Sequence, residues 1–267
     1  MSALTLEVQN KQGESLGCSS GSRAVSLVYP EAYQEGDTIS LHSDRTGIYL
    51  ILQLDDAMAE EFVYLASSPL IYTIPFGEKH ISYSPRSFDG DRHLLRARLA
   101  TEGEIALYKN LARNAYDQHG EPGLFPHAAA NVETRGESVF AARNAIDGNC
   151  CNTWHGPWPY ESWGINRQDD AEITLYFGRT VEIDRMVLVT RADFPHDNYW
   201  VSVTFTFSDK STLTQPLEKS VEPHEIPLPE KKRVEWIRLS NLIQSEDPSP
   251  FPALSQWEVY GVECPKD

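Results

Sequence analysis

Alternating apolar and polar residues recur along the amino-terminal half of the chain and predict short β-strands. Ile39 and Leu41 share one face of such a run, whereas Thr38 and Ser40 lie on the other, which is the period of a half-buried strand. Turn residues separate runs of this kind at intervals typical of a β-sandwich. The predicted strands of this half are residues 4–8, 24–28, 38–42, 49–54, 61–66, 70–74, 94–99 and 104–108.

Residues 55–66 allow two interpretations. Asp55 stands where a helix N-cap would stand and helix-forming residues follow it, but Phe62, Val63 and Tyr64 favour a strand. We interpret the second part of this segment as a strand.

The carboxy-terminal half is also predicted to be β-structure. Ile173, Leu175 and Phe177 alternate with polar residues, and a more continuous apolar run follows them. Helical periodicity is absent from the sequence of this half, so a β-sandwich is expected. The predicted strands are residues 171–177, 185–190, 200–207, 212–217, 234–239 and 257–262, of which the third and fourth form a hairpin.

A long connection without sustained periodicity lies between the two halves, at residues 110–134, and contains several glycines and prolines. We place a domain boundary near Lys109. A chain of 267 residues is long enough for two domains that each bury a core. The sequence therefore predicts an all-β protein of two antiparallel β-sandwich (jelly-roll) domains, residues 1–109 and 110–267.

The formal net charge of −16 restricts the choice of partner. Negative charge repels the phosphates of nucleic acids and anionic membranes, and the basic run at Lys231, Lys232 and Arg233 is short. We therefore expect neither a nucleic acid nor a membrane as partner and favour a neutral or cationic ligand. Much of the acidity serves solubility, and the oligomeric state is left open.

The amino terminus lacks a basic region followed by an apolar stretch, so we expect a cytoplasmic protein, or a secreted one if a leader has been removed. The four cysteines, at positions 18, 150, 151 and 264, are too few and too unevenly spaced for a disulfide framework. We interpret them as thiols, with a strained disulfide between Cys150 and Cys151 as the alternative.

Three segments of the second half together resemble a known family. They are Asn110-Leu111-Ala112, the AIDGN block at residues 145–149 with a tryptophan shortly after it, and EVYG at residues 258–261. In this order they resemble the galactose-binding-like β-sandwich of discoidin (coagulation-factor type C) domains and related carbohydrate-binding modules. The resemblance covers residues 110–267 and implies a module that binds a sugar.

The resemblance also implies a structural calcium ion beside the Asp147-Gly148 turn, because the related modules hold calcium with carboxylate, hydroxyl and backbone oxygens around such a turn. Carried over position by position, the ligands are Asn144, Asp147, Asn149, Asn152, Ser255 and Gln256. Asn152 replaces a hydroxyl residue and Gln256 replaces a carboxylate, which would weaken the site. In the alternative, Asp147 only caps its own turn.

Aromatic residues in loops predict where a sugar would bind, since sugars stack on exposed rings while polar side chains bind their hydroxyls. Two loops, residues 155–167 and 190–200, combine aromatic and polar side chains, and prolines stiffen them. Trp163 is alternatively a core residue beside a strand. The candidate ligand-binding residues are His155, Trp158, Tyr160, Trp163, Arg191, Asp193, His196 and Asn198.

Two other functions stay open at this point. A glycoside hydrolase or lyase would need an acid and a base, for which the candidates are Glu161, Asp193, His196 and Asp197. A protein-interaction module could use the same aromatic loops. We favour the binding module because no nucleophile elbow, phosphate loop or metal-hydrolase motif is found in the sequence.

Overall fold

Antiparallel strands account for most of the regular structure in the computed structural model, which describes residues 3–120, 123–192 and 198–264. The first half folds into two facing sheets around one apolar core, in which Leu6, Leu41 and Leu50 are fully buried. The strands of this half are β1 (Leu4–Gln9), β2 (Ser15–Gly21), β3 (Ala24–Tyr29), β4 (Thr38–Ser43), β5 (Ile48–Gln53), β6 (Glu61–Leu65), β7 (Leu70–Thr73) and β8 (His93–Leu99).

One sheet of this first sandwich has the order β2-β1-β4-β7, and the other contains β6, β5, β8 and β3 in that order. The apolar side of each alternating run faces the other sheet, as the pattern at Ile39 and Leu41 predicts. The strand predicted in the second part of residues 55–66 is confirmed as β6.

The prediction differs from the structure at two places in this half. Residues 104–108 do not form a strand: helix α1 (Glu102–Ala106) begins there, because Thr101 and Glu104 form a capping box. Strand β2 was not predicted, because its sequence SLGCSSG has no buried face. It is an edge strand of its sheet and pairs with β1.

The second half forms another β-sandwich from one continuous, folded sheet. Its strands are β9 (Lys109–Asn110), β10 (Leu124–Phe125), β11 (His127–Ala130), β12 (Trp163–Gly164), β13 (Ile173–Arg191), β14 (Trp200–Phe207), β15 (Thr212–Pro216), β16 (His224–Gln244) and β17 (Ala253–Glu263), of which β10 joins the first sandwich instead. The main order is β12-β17-β13-β16-β14-β15.

Long strands allow this single sheet to enclose a core. Strand β13 contains both predicted strands 171–177 and 185–190, and its pairing with β16 is interrupted between Tyr176 and Val181. The rings of Phe205 and Trp257 lie 5.9 Å apart although their strands are not neighbours in the sheet, so the sheet folds over on itself. The predicted hairpin is confirmed by the antiparallel pairing of β14 with β15. The all-β, two-sandwich fold class is thereby confirmed.

Short helical turns connect the strands. Besides α1, they are 3-10 helices at Gly77–Ser82, Thr134–Gly136, Ser138–Phe140 and Ala142–Ile146. In the part of the chain that the structure describes, no helix is both long and apolar enough to cross a membrane.

The connection at residues 110–134 contributes to both sandwiches. Leu111 packs in the second core, Tyr116 and Leu124 pack in the first, and β11 then pairs with β13 of the second. The chain therefore returns to the first sandwich after Lys109, and the boundaries 1–109 and 110–267 stay a prediction.

Candidate functional site

The start of strand β17 forms the floor of a pocket at one end of the second sandwich. Ala253 pairs with Arg191 at the end of β13 on one side and with Gly164 of β12 on the other. The residues that precede Ala253 and those that follow Gly164 are thereby brought together. We call the resulting cavity the loop pocket. It has a volume of about 210 Å³ and is lined by Thr134, Arg135, Phe140, His155, Gly164, Ile165, Asn166, Arg191, Pro250, Phe251, Pro252 and Ala253.

The loop pocket combines an aromatic ring with polar side chains. Phe251 is half-buried between Pro250 and Pro252, and the guanidinium carbon of Arg167 lies 4.6 Å from the centre of its ring. Arg191 is buried at the end of β13. His155 is partly exposed, and its ring is stacked on Trp154, an exposed residue, at 5.7 Å.

Three residues around the loop pocket have left-handed backbone conformations. The φ angles are 54° at Arg135, 50° at Asn166 and 61° at Arg167. Such angles are uncommon in residues other than glycine and cost free energy, and they concentrate at binding and catalytic sites. The backbone N–H of Asn166 donates to Thr134 Oγ1 (3.0 Å), which holds this conformation.

Gly164 permits the close packing behind this wall of the pocket. A Cβ at this position would lie 2.5 Å from Thr134 Oγ1 and 3.3 Å from Cβ of Phe140. A larger residue would push the Thr134 hydroxyl away from the Asn166 N–H. The glycine therefore contributes to the shape of the loop pocket without lining it through a side chain.

The structure separates the predicted ligand-binding residues. His155 and Arg191 lie together in the loop pocket, whereas Trp158, which is 38% exposed, lines a different cavity between the two sandwiches. Tyr160 is half-buried, and its backbone N–H donates to the Pro157 carbonyl (3.1 Å). Asp193, His196 and Asp197 lie outside the described residues.

Two predicted ligand-binding residues are buried. Trp163 is fully buried, and its indole N–H donates to the carbonyl of Val132 (2.9 Å), so it is a core residue. Asn198 is 1% exposed, and its side-chain oxygen accepts from Ser245 Oγ (2.7 Å). Position in a loop next to a strand does not reveal whether a side chain turns outward, and the burial of these two side chains does not favour direct contact with a ligand.

Phe251 and Arg135 were not predicted, and Asn166 was predicted only as a polar residue of the loop at residues 155–167. Phe251 carries a signal in the sequence, because it is an aromatic residue between two prolines, as Trp158 is. Asn166 and Arg135 have no comparable signal. Their presence in the loop pocket depends on the register of β12 and β17, which strand patterns do not specify.

Two buried carboxyl groups lie behind the Asp147-Gly148 turn, and we call them the carboxyl pair. Asp147 and Glu161 are 7% and 1% exposed, and apart from the other carboxyl of the pair, no described N–H or hydroxyl group donates to Asp147 Oδ2 or Glu161 Oε2. Burial raises the pKa of both carboxyl groups, and the nearby charge of Asp147 raises the pKa of Glu161 further. Glu161 also accepts a hydrogen bond from Nδ2 of Asn149 (2.5 Å).

Asn149 and Gln256, two of the positions predicted to hold calcium, contact this carboxyl pair or its turn. Oε1 of Gln256 accepts from the backbone N–H of Gly148 (3.2 Å), and Asp147 Oδ1 accepts from the N–H of Asn149 (2.9 Å), which is the turn-capping alternative. Val189 pairs with Gln256 and Thr190 with Leu254, so Ser255 is the extra residue of a β-bulge and lies outside the ladder.

The side chains of Asn144 and Asn152, two of the three asparagines in the predicted calcium set, make contacts within the protein. Asn144 Oδ1 accepts from Arg143 (3.0 Å), and the amide of Asn152 donates to the carbonyls of Thr190 and Val221. Among the described residues, no group of three or more His, Cys, Asp or Glu side chains is placed to hold a metal ion. A metal ion bound at this site would therefore need amide or backbone oxygens among its ligands. Cys18, Cys150 and Cys151 are free thiols.

No family model matches the sequence, and neither does any curated protein. The chain is similar to solved carbohydrate-binding modules. Chitosan-binding module 1 of a chitosanase/glucanase from Paenibacillus sp. IK-5 is 20% identical, over 57% of this chain and 99% of that chain, with a TM-score of 0.38.

Two further similar structures belong to the same class. The family 32 carbohydrate-binding module from C. perfringens NanJ in complex with galactose is 18% identical, over 50% of this chain and 91% of that chain, with a TM-score of 0.38. A fucose binding module of Streptococcus pneumoniae is 16% identical, over 58% of this chain and 99% of that chain, with a TM-score of 0.43. These are modules of the kind that the sequence resembles.

Proposed function

We propose that the loop pocket binds a sugar residue of a mono- or oligosaccharide. The observation that carries the proposal is the meeting of the Phe251 ring with His155, Asn166 and Arg191 in one small cavity. A pyranose ring presents an apolar face for stacking and hydroxyl groups that both donate and accept hydrogen bonds. This pocket offers an aromatic ring for the apolar face of the sugar. Its guanidinium, imidazole and amide groups can bind the hydroxyl groups.

The backbone around the pocket supports a binding role. Arg135, Asn166 and Arg167 have left-handed backbone conformations around the pocket, and the Asn166 N–H is held by Thr134 Oγ1. Prolines on both sides of Phe251 limit the freedom of its loop. A preformed site loses less conformational entropy when the ligand binds, which favours affinity.

The described residues that line the loop pocket include neither Asp nor Glu. Glu161 is the one candidate acid among the described residues. It belongs to the carboxyl pair and does not line the loop pocket. Glycoside hydrolysis needs two carboxyl groups on either side of the scissile bond. This arrangement favours binding over hydrolysis, and a protein-interaction module stays the further alternative.

Calorimetric titration with galactose and a glycan array test the proposal. We expect binding by the wild-type protein, and a loss of affinity of tenfold or more, about 1.4 kcal/mol, in Phe251→Ala and His155→Ala. Trp236→Ala is the matched control, because Trp236 is also a half-exposed ring beside an arginine, at 5.8 Å from Arg238, but lies outside the pocket. Absence of binding to every saccharide tested would overturn the proposal, and sugar turnover would favour the enzyme.

A structural calcium ion beside the carboxyl pair is a second part of the proposal. Carboxyl oxygens such as those of Asp147 and Glu161 are the hard donors that calcium takes, and Ser255 lies in a β-bulge next to Gln256, whose side chain contacts the Gly148 N–H. Glu161 would supply the carboxylate that Gln256 lacks. When bound, the ion would neutralise two buried acidic groups and hold the Asp147-Gly148 turn.

Thermal unfolding with calcium and with a chelator tests this part. We expect calcium to raise the melting temperature of the wild type, and Glu161→Gln to remove most of that increase. Without calcium, Glu161→Gln should unfold at the same or a higher temperature at neutral pH, because it removes an acidic group whose ionisation is opposed by burial. Equal melting temperatures of the wild type in calcium and in chelator would rule out the ion.

A further inference from the structure

A second, larger cavity lies between the two sandwiches, and we call it the interdomain cleft. Its volume is about 460 Å³, and ligand pockets are frequently found at such boundaries between domains. One wall comes from the first sandwich and the other from the second. The lining residues are Ala57, Met58, Ala59, Glu61, Ser82, Tyr83, Ser84, Arg86, Ser87, Arg113, Ala115, Arg143, Asp147, Gly148, Asn149 and Trp158.

Hydrogen bonds between the sandwiches fix the two walls. The backbone N–H of Trp158 donates to the carbonyl of Ile81 (2.9 Å), and Nε of Arg113 donates to Oε1 of Glu61 (3.0 Å). Ser138 adds a third link, because its N–H donates to Oε1 of Glu78 (2.8 Å). The cleft is therefore a preformed cavity.

Guanidinium and carboxyl groups both line the cleft. The lining includes three guanidinium groups, those of Arg86, Arg113 and Arg143. It also includes the carboxyl groups of Glu61 and Asp147. An anionic ligand would approach two acidic groups, and a cationic one would approach three guanidinium groups. A neutral ligand whose hydroxyl groups donate as well as accept fits both sets.

A buried hydroxyl in the cleft has its hydrogen-bonding capacity unused. Ser87 is 1% exposed, and its Oγ has no hydrogen-bond partner among the residues that the structure describes. A buried polar atom without a partner costs free energy, and a bound hydroxyl would recover it. This observation is independent of the charged groups that line the cleft.

Two aromatic rings provide the apolar surface. Trp158 is 38% exposed and is one of the residues that line the cleft. The ring of Tyr83 is buried, and the guanidinium carbon of Arg143 lies 4.2 Å from its centre, which fixes that arginine at the wall. An exposed indole is the preferred stacking surface for the apolar face of a sugar ring.

We propose that the interdomain cleft is a second binding site, for a neutral sugar residue that stacks on Trp158 and forms a hydrogen bond with Ser87. The site shares no lining residue with the loop pocket, so it does not depend on binding there. Together the two sites would allow the protein to contact two sugar residues.

Fluorine NMR of the full chain labelled with fluorotryptophan distinguishes the two sites. Trp158 reports on the interdomain cleft, and Trp154, which stacks on His155, reports on the loop pocket. Trp158→Phe and Trp154→Phe assign the two signals. The probes are the methyl glycosides of galactose, fucose and N-acetylglucosamine, with methyl glucuronide as the anionic counterpart.

We expect at least one neutral glycoside to shift the Trp158 signal saturably and to do so equally in Phe251→Ala. Ser87→Ala should weaken this binding about fivefold, the effect of one lost hydrogen bond. Ser40→Ala is the matched control, because Ser40 is also buried with an unpartnered Oγ but does not line the cleft. Neither serine variant should reduce stability, since neither hydroxyl has a partner to lose.

Other outcomes would overturn the proposal. They are a Trp158 signal that no probe shifts, a shift caused by methyl glucuronide alone, and equal affinities in the wild type and Ser87→Ala. A shift of the Trp154 signal alone would leave the loop pocket as a sugar site and remove the interdomain cleft. A shift of the Trp158 signal alone would leave the interdomain cleft as a sugar site and remove the loop pocket.

Discussion

Gly148 has a conformation that other residues adopt at a cost. Its φ angle is 93°, and a Cβ there would lie 3.2 Å from Nε of Arg113. We expect Gly148→Ala to lower the free energy of unfolding by about 1–3 kcal/mol, as measured by urea denaturation. Gly103→Ala is the control, because a Cβ there meets only Thr101 Oγ1 at 4.0 Å within a helix. Equal losses in both variants would contradict this account.

Asn166 tests whether the strained backbone of the loop pocket serves binding. Glycine adopts its φ angle of 50° without penalty, so Asn166→Gly should keep or raise stability by up to about 1 kcal/mol. Sugar affinity should nevertheless fall, because a polar group of the pocket is lost. Lys210→Gly makes the same backbone change at φ 70° in the hairpin between β14 and β15, outside the pocket. Unchanged affinity in Asn166→Gly would show that binding needs neither the side chain of Asn166 nor its left-handed backbone strain.

At the residue scale, the sequence locates polar groups next to strand ends but not the partners that they meet. Arg191 at the end of β13 follows this rule and lies in the loop pocket, together with His155 from a loop. Phe251 reaches them only because Ala253 pairs with Arg191, and that register follows from packing of the whole sheet. Burial is likewise a tertiary property, so Trp163 and Trp158 look alike in the sequence but differ in exposure.

Elements with a strict apolar alternation were predicted well, and those governed by local hydrogen bonds were not. Strands β4 and β14 match their patterns because one face is buried in a core. Residues 104–108 contain a similar alternation, but the capping box of Thr101 and Glu104 favours helix α1 over a strand. Edge strand β2 buries no face, so no alternation marks it.

Strands β13 and β17 are joined near one end by a buried ion pair. Arg179 donates to both carboxylate oxygens of Glu263, at 2.9 and 2.5 Å, and the two side chains are 7% and 1% exposed. The guanidinium of Arg179 also lies over Tyr64 of the first sandwich, at 5.2 Å. The pair therefore connects an element of the second sandwich with the surface of the first.

Glu263→Gln should lower the free energy of unfolding by about 3–5 kcal/mol, because it leaves a buried guanidinium without its counter-charge. Chemical denaturation measures this loss. The control is Glu225→Gln, which removes the partner of Arg185 in an ion pair that is 34% and 56% exposed. Exposed pairs contribute about 0–1 kcal/mol. A loss below about 1 kcal/mol in Glu263→Gln would show that the buried pair contributes no more than an exposed one.

At the scale of the whole molecule, the two sandwiches meet through acidic groups that are hidden from solvent. Glu61 of β6 is 3% exposed and contacts Arg113 of the connection. Burial raises the pKa of Glu61 to about 7, although Arg113 opposes the shift. The folded protein therefore retains a proton on Glu61 at pH values where the unfolded chain has released it.

This difference makes stability depend on pH. Between the ordinary pKa of a glutamic acid, about 4.5, and about 7, the folded state binds more protons than the unfolded state, so stability falls as pH rises through this window. Glu61→Gln carries no titrating proton and should show a shallower fall between about pH 5 and pH 8. The buried carboxyl group of Asp147 also raises the pKa of Glu61, so the difference in slope includes this coupling. Glu60→Gln, which removes the neighbouring exposed carboxylate, controls for the loss of one negative charge. Thermal unfolding of the three proteins across this range gives the slopes, and parallel curves for wild type and Glu61→Gln would refute the role of Glu61 at the domain interface.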